Sequence, residues 1–411
     1  MPLRLGAIAD DLTGATDLAL MLARGGMSVK QVVGVPAGPA ALGDADAVVV
    51  SLKSRTIPSA QAVEQTLAAA QVLLAAGAEQ LLFKYCSTFD STDDGNIGPV
   101  IDALLTLLGE NRTLACPAFP TNKRTVYKGH LFVGDQLLSD SPMKDHPLTP
   151  MHDANLVRVL ARQTKRAVRL IDITTVRGDA LGPALDAPGI AVVDALEDAD
   201  LVAIGRAAAG MRLLTGGSGI AMGLSANWGI APSAEVARRQ APPGKAAVLA
   251  GSCSAATRRQ VETALGAGLS GLQLDPIAIA EGRQSVAEAV QFAAAASSTP
   301  LIYASAAPDA VARSQEKLGR ERAGAVIEDF LAELARLLVQ HGFDRFIVAG
   351  GETSGAVVEG LALESLDIGP EIDPGVPWMY SSAGGRPIAI ALKSGNFGAE
   401  TIFVKAWDVL R

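Results

Sequence analysis

Residues 350–355 read Gly-Gly-Glu-Thr-Ser-Gly, between the apolar run Phe346-Ile347-Val348-Ala349 and a helix-like stretch over residues 356–361. A strand turning through glycines into a helix start suits an anion. Glycine lets the backbone approach a ligand, and the free N–H groups of the first helical turn point at it with the positive end of the helix dipole. Phosphate is the expected occupant of Gly350, Gly351, Glu352, Thr353, Ser354 and Gly355, the alternative being a plain tight turn. The run lacks the Gly-Lys-Ser/Thr ending of a P-loop and the Gly-x-Gly-x-x-Gly spacing of a dinucleotide site. Two further turns of this kind follow apolar runs: Gly251-Ser252-Cys253-Ser254, where Ser254 also fits a helix N-cap, and Lys393-Ser394-Gly395-Asn396. Together the three turns could surround a nucleotide, with Ser252, Ser254 and Gly395 facing phosphates and Lys393 supplying charge.

A different palette occupies the first half. Asp10-Asp11-Leu12-Thr13-Gly14 follows the first apolar run, which places two carboxylates at a strand's carboxyl end, where open α/β sheets bind ligands. A helix cap by Asp11 or Thr13 is the plainer reading, but two adjacent acids exceed what a cap needs. The segment from Lys84 to Asn96 begins at another strand end and gathers Ser87, Thr88 and Asp90 beside one ammonium, a sugar-binding set in which hydroxyls donate and accept and Lys84 can pair with a carboxylate. Its end, Asp93-Asp94-Gly95-Asn96, reads as a solvated turn. Thr215-Gly216-Gly217-Ser218 either completes that pocket or merely turns the chain. His146 and His152 are weaker candidates for a base or metal ligand, because they lack the fixed spacing of a zinc site.

These residues must be held by alternating strands and helices. Residues 5–9, 47–51, 81–84, 170–173 and 190–194 read as buried strands, and 16–23, 60–76, 97–108 and 157–163 as amphipathic helices. Residues 117–150, rich in Pro, Lys, Asp and His, show little periodicity and read as a long functional loop. Composition shifts near residues 232–244, where Arg238-Arg239-Gln240-Ala241-Pro242-Pro243 reads as a stiff connector. Beyond it, 246–250, 301–304, 346–349 and 387–392 read as strands, and 255–265 and 323–340 as helices. A chain of 411 residues is long enough for two cores, and 42 glycines with only 4% aromatics suit strand-turn-helix units. The expectation is two α/β domains, 1–240 and 245–411, with mainly parallel sheets facing each other across a substrate cleft.

A net charge of −8, with no basic block, argues against a nucleic-acid or membrane partner. The start of the chain meets acids too soon for a signal segment, so the expected compartment is the cytoplasm. Three widely spaced cysteines, Cys86, Cys116 and Cys253, suggest neither a disulfide framework nor a zinc site.

The Ala-Asp-Asp-Leu-Thr-Gly-Ala motif at 9–15, the 84–96 loop, Gly251-Ser252-Cys253-Ser254 and the 350–355 motif together resemble the four-carbon acid sugar kinase family over nearly the whole chain. The Lys84-Tyr85-Cys86-Ser87-Thr88-Phe89-Asp90 loop and residues 142–151 are similar to its 3-oxo-tetronate kinase branch. The resemblance implies an amino-terminal domain for the sugar acid, a carboxy-terminal domain for ATP, and phosphoryl transfer with Mg²⁺ to the C4 hydroxyl of the acid. Substrate contacts would come from Thr13, Lys84, Ser87, Thr88, Asp90, Gly217 and Ser218, and the base would be Asp11 or Asp10; no Mg²⁺ ligands are singled out, and a homo-oligomer stays open. The alternatives are an erythronate or threonate 4-kinase and, from another class, a dinucleotide-dependent oxidoreductase of small hydroxy acids.

Overall fold

Val, Ile, Leu and Ala fill the short strand segments almost without a break, the pattern of strands covered on both faces. The computed structural model describes residues 3–146, 148–232 and 240–410. It divides into two units, residues 1–234 and 235–411. Residues 233–239, with Arg238 and Arg239 of the sequence-read connector, and Pro147 of the His146 segment lie outside the described residues.

In the first unit the strands β1 (Leu5–Ala9), β2 (Val29–Val33), β3 (Ala47–Ser51), β4 (Gln80–Lys84) and β5 (Arg112–Cys116) come first in the chain. A small antiparallel group follows, β6 (Arg124–Tyr127), β7 (His130–Val133) and β8 (Gln136–Leu137), and then β9 (Val168–Ile171), β10 (Gly189–Val193) and β11 (Leu213–Gly216). The main sheet runs β2-β3-β1-β4-β11-β5-β10-β9 and is parallel throughout. Helices Leu12–Arg24, Ser59–Ala75 and Ile97–Leu108 supply crossovers that parallel pairing requires. Ala9 aligns with Ser51 on one side and Lys84 on the other, so the residues that follow these three strands emerge side by side.

Two sequence expectations are corrected here. The 117–150 stretch is not an irregular loop: β6 and β7 pair as a hairpin through Lys128 and Gly129, both with positive φ, and strands of two to four residues are too short to show a period. The strand expected over 170–173 ends at Ile171, because Asp172 accepts the Thr175 N–H and caps a helix that starts at Ile173.

In the second unit β12 (Lys245–Ala250), β13 (Ser270–Gln273), β14 (Pro300–Tyr303), β15 (Phe343–Ala349), β16 (Ser365–Asp373), β17 (Val376–Ala383) and β18 (Arg386–Lys393) pair in the order β13-β14-β12-β15-β18-β17-β16. The first five in that order are parallel, while β18, β17 and β16 form an antiparallel meander. Of the meander, the sequence reading found β18 over 387–392, while β16 and β17 escaped it because Pro370 and Pro377 discourage a strand assignment, and in the structure the β16–β17 register shifts on either side of Glu371. Buried Trp378 anchors it, donating its indole N–H to the Ala406 carbonyl at 2.9 Å. Among the described residues no helix is long and apolar enough to cross a membrane.

Candidate functional site

In the first unit the carboxyl edge of β1, β3 and β4 carries Asp10, Asp11, Arg55 and Lys84. Arg55, which sequence reasoning missed, is the centre of the cluster. Its Nε and Nη2 donate to Asp10 Oδ2 and Oδ1 at 2.9 and 2.8 Å, Nη2 donates also to Asp11 Oδ1 at 2.8 Å, and Nη1 lies 3.6 Å from Asp90 Oδ2. The strand-end rule that singled out Asp10 and Lys84 applies equally to Arg55, four residues past β3. Asn96, expected in a solvated turn, is instead buried and holds the Arg55 segment by donating to the carbonyls of Ser54, Arg55 and Ile57.

The two aspartates differ. Asp10 is fully engaged by Arg55, its side chain only 8% exposed, whereas Asp11 is 28% exposed and remains reachable. Burial pushes the Asp10 carboxyl above its ordinary pKa against the pull of Arg55. Burial opposes the charge on Asp11 as well, but Arg55 and Lys84 outweigh it and hold that carboxyl well below the ordinary range. Lys84 Nζ stands 3.5 Å from Asp11 Oδ1; burial acts against the ammonium, and Asp11 and Asp10 more than offset it, so its pKa rises. Thr13 donates to Asp11 Oδ2 at 2.9 Å, which makes it a support for the acid. Gly14 is required by this packing: a Cβ there would lie 1.9 Å from Lys84 Nζ and 2.2 Å from Asp11 Oδ1.

The loop after β4 is strained. Phe89 and Asp90 both take positive φ, 66° and 31°, conformations that cost non-glycine residues about 1–3 kcal/mol each and cluster at ligand sites. Thr88 donates to Asp90 Oδ1 at 2.6 Å, and Ser87 sits half-buried beside it. Gly217 and Ser218 follow β11, whose Gly216 is in register with Lys84, so they reach the same strand edge. His146 is occupied locally, its Nδ1 accepting the Thr149 N–H. His152 and Asp153 border a separate cavity of about 260 Å³ with Ser91–Asp94. Among the described residues no group of three or more His, Cys, Asp or Glu could hold a metal.

In the second unit the three turns expected from the sequence do meet. Gly350 begins the helix Gly351–Gly360 with φ 125°, and a Cβ there would crowd the Ser252 nitrogen at 3.2 Å. Ser254 caps the helix Ala255–Gly266 by accepting the Thr257 N–H at 3.1 Å and donates to the Gly395 carbonyl at 2.6 Å. Lys393 lies behind these turns: fully buried, it donates to Thr257 Oγ1 at 3.1 Å and to the Gly395 carbonyl at 3.4 Å, with its ammonium 5.9 Å from the centre of the Phe403 ring. Burial lowers its pKa to about 8. Ser354 is also fully buried, and its hydroxyl has no hydrogen-bond partner.

Beside Gly251 and Thr353 opens a cavity of about 620 Å³, bordered by Gln273, Asp275, Ala304, Arg313 and Ile327 among others. It lies past the carboxyl ends of β12, β13 and β14, the usual ligand edge of an open α/β sheet. One side of it, Gly251, Cys253 and Thr353, belongs to turns that the sequence marked, while Gln273, Asp275, Ala304, Arg313 and Ile327 belong to no motif and carried no sequence signal.

A family model for a sugar-binding N-terminal domain matches residues 5–224, and one for a nucleotide-binding C-terminal domain matches residues 247–403. The chain belongs to the four-carbon acid sugar kinase family. Similar members include the 3-oxo-tetronate kinase of Pseudomonas savastanoi pv. phaseolicola, 52% identical over 98% of this chain and 96% of its own. That of Burkholderia multivorans is 54% identical over 99% and 97%. Among solved structures, a Haemophilus influenzae protein is 41% identical with a TM-score of 0.82, covering 99% of this chain and 100% of its own. A Salmonella typhimurium LT2 protein, solved under the heading of a tRNA synthase, is 41% identical with a TM-score of 0.89 and 98% coverage of both chains. In this kinase family member the two matched segments carry the two sites just described.

Proposed function

We infer that this protein is a 3-oxo-tetronate kinase, transferring the terminal phosphoryl group of ATP to the C4 hydroxyl of a 3-oxo-tetronate. The full-length likeness to kinases of that name, above 50% identity, carries the reading. Such a transfer needs an aligned acceptor, balanced charge and little covalent help, and the residues support each requirement.

In this reading Lys84 and Arg55 receive the substrate carboxylate, Ser87, Thr88 and Asp90 hold its hydroxyls, and Asp11 orients the C4 hydroxyl and takes its proton. Asp11 suits that role better than Asp10 because its side chain is 28% exposed against 8%, although Arg55 and Thr13 engage its two oxygens as well. Its depressed pKa agrees with a loose transition state in which the proton moves late.

The backbone N–H groups of the first helical turn, Gly351 to Thr353, and the hydroxyls of Ser252 and Thr353 face ATP phosphates, the Gly350 and Ser354 N–H groups being spent on the Lys393 and Gly350 carbonyls. The 620 Å³ cavity takes the nucleoside, with Asp275 and Gln273 offering polar contacts to base or ribose. Lys393 acts through the Gly395 turn. Mg²⁺ would arrive on the nucleotide, since phosphates and water usually fill most of its coordination shell; it would neutralise charge on the transferred group. The sugar acid belongs to residues 1–240, the nucleotide to 245–411, and the cytoplasm is the proposed compartment.

The test is MgATP-dependent ADP release with 3-oxo-tetronates beside erythronate and threonate. Turnover much faster with the 3-oxo acids than with plain tetronates is expected. Faster turnover of a plain tetronate would move the substrate, and no ADP release with any acid would sink the kinase reading.

A further inference from the structure

Beside Lys84 lies a polar pair: Asp17, to which no reading above gives a role, and Ser218, expected to touch the substrate but not yet given a partner on it. Asp17 stands three residues along the helix Leu12–Arg24 from Gly14, the position against which the Lys84 ammonium packs, so it shares that helix face. Ser218 enters the same corner from the end of β11, beside β4. Asp17 Oδ1 and Ser218 Oγ are both buried, stand close enough to each other for Ser218 to lower the Asp17 pKa, and make no hydrogen bond of normal geometry with each other or with any other protein group. Burying such groups unpaired costs about 1–3 kcal/mol each, a cost that a ligand supplying the missing partner would remove.

We propose that Asp17 and Ser218 bind the C3 oxo group of the substrate and so set the preference for 3-oxo over 3-hydroxy acids. The inference rests on the kinase reading and deepens it. The other polar groups are committed by charge: Arg55 and Lys84 suit the C1 carboxylate, and Asp11 the C4 hydroxyl. That leaves the uncharged middle of a four-carbon acid for side chains that need not be ionised.

An oxo oxygen only accepts hydrogen bonds, so the groups meeting it must donate. Ser218 carries a hydroxyl hydrogen. Asp17 donates only as the neutral acid, and burial pushes its carboxyl above the ordinary pKa, against the opposing pull of Ser218 and Lys84. A 3-hydroxyl would add a hydrogen of its own and oblige one of these groups to accept. A site built around a specific hydrogen bond rejects the wrong partner because its polar groups are then left unpaired.

The test compares kcat/KM for a 3-oxo-tetronate with kcat/KM for erythronate and threonate, in wild type and in Asp17→Ala, Asp17→Asn and Ser218→Ala. Loss of one such hydrogen bond is worth about tenfold. Asp17→Ala and Ser218→Ala should therefore each reduce the ratio of 3-oxo to 3-hydroxy turnover about tenfold, mainly through KM. Asp17→Asn, which keeps a neutral donor of similar shape, should hold the ratio within about threefold of wild type. Loss of fold in Asp17→Ala would leave Ser218→Ala and Asp17→Asn to decide the matter. An unchanged ratio in Ser218→Ala, or a ratio in Asp17→Asn that falls as far as in Ser218→Ala, overturns the proposal while wild-type turnover preserves the kinase reading; wild type inert on 3-oxo acids overturns both.

Discussion

In the first unit two carboxyls and two cations share one strand edge and neutralise one another, whereas the matching edge of the second unit presents glycine turns, hydroxyls and a lysine sunk behind them. The contrast agrees with what each site is proposed to hold. A small polar acid offers charge and hydroxyls but little surface, so its site needs fixed side-chain charges, and burying those charges is tolerable only when they are paired. A nucleotide offers a long phosphate chain and a flat apolar base, which backbone N–H groups and a roomy cavity can grip with less side-chain charge. Damage should therefore spread differently: the first site is coupled through Arg55, the second through backbone conformation.

The largest expected effect tests that coupling. Arg55→Ala strips both aspartates of their shared cation and should cost about 3–5 kcal/mol of stability, with turnover lost altogether; chemical denaturation and steady-state kinetics measure the two losses. A stable, active Arg55→Ala enzyme would mean the cluster is not a unit. Next, Asp11→Asn should lower kcat about 10²- to 10⁴-fold and also lower the melting temperature, because Arg55 and Lys84 favour its ionised form in the fold. Asp10→Asn should instead act mainly on stability, because Arg55 holds it on both oxygens. If both variants keep near-normal turnover, neither aspartate is the base.

In the second unit Gly350→Ala forces a non-glycine residue to φ 125° and presses a Cβ towards the Ser252 nitrogen. It should cost about 1–3 kcal/mol and weaken ATP more than the acid substrate; an unchanged KM for ATP would detach this turn from the nucleotide. A comparable effect, visible only as a dependence on pH, concerns Lys393. Its pKa is about 8 in the fold against an ordinary 10.5, so between those values the unfolded chain binds the extra proton and stability rises with pH, by about 3 kcal/mol at most. Below about pH 8 the penalty is constant. Denaturation midpoints from pH 7 to 10.5 should show the rise in wild type and lose it in Lys393→Met.

Much of the first unit was legible because its strands are uniformly apolar and its ligand residues sit at their ends: β1, β3 and the helix Ile97–Leu108 follow directly from composition and period. Strands β16 and β17 were not, since Pro370 and Pro377 argue locally against strands that long-range pairing nonetheless forms. Arg55 and Asp17 show a similar limit at the site. Neither belongs to a motif, and each becomes part of the cluster only because parallel pairing sets β1, β3 and β4 side by side and one turn of helix places Asp17 over Lys84.

By itself the chain determined which segments could be strands, which turns could approach an anion and, through its likeness to a kinase family, the reaction to expect. Periodicity, glycine and charge act over a few residues, so they survive in a linear reading. Only the tertiary structure decided that Arg55 bridges both aspartates, that Lys393 faces inward, and that residues from β12, β13 and β14 enclose one cavity. Those contacts join positions tens to more than a hundred residues apart, and their energies depend on burial and mutual distance, which no local pattern encodes.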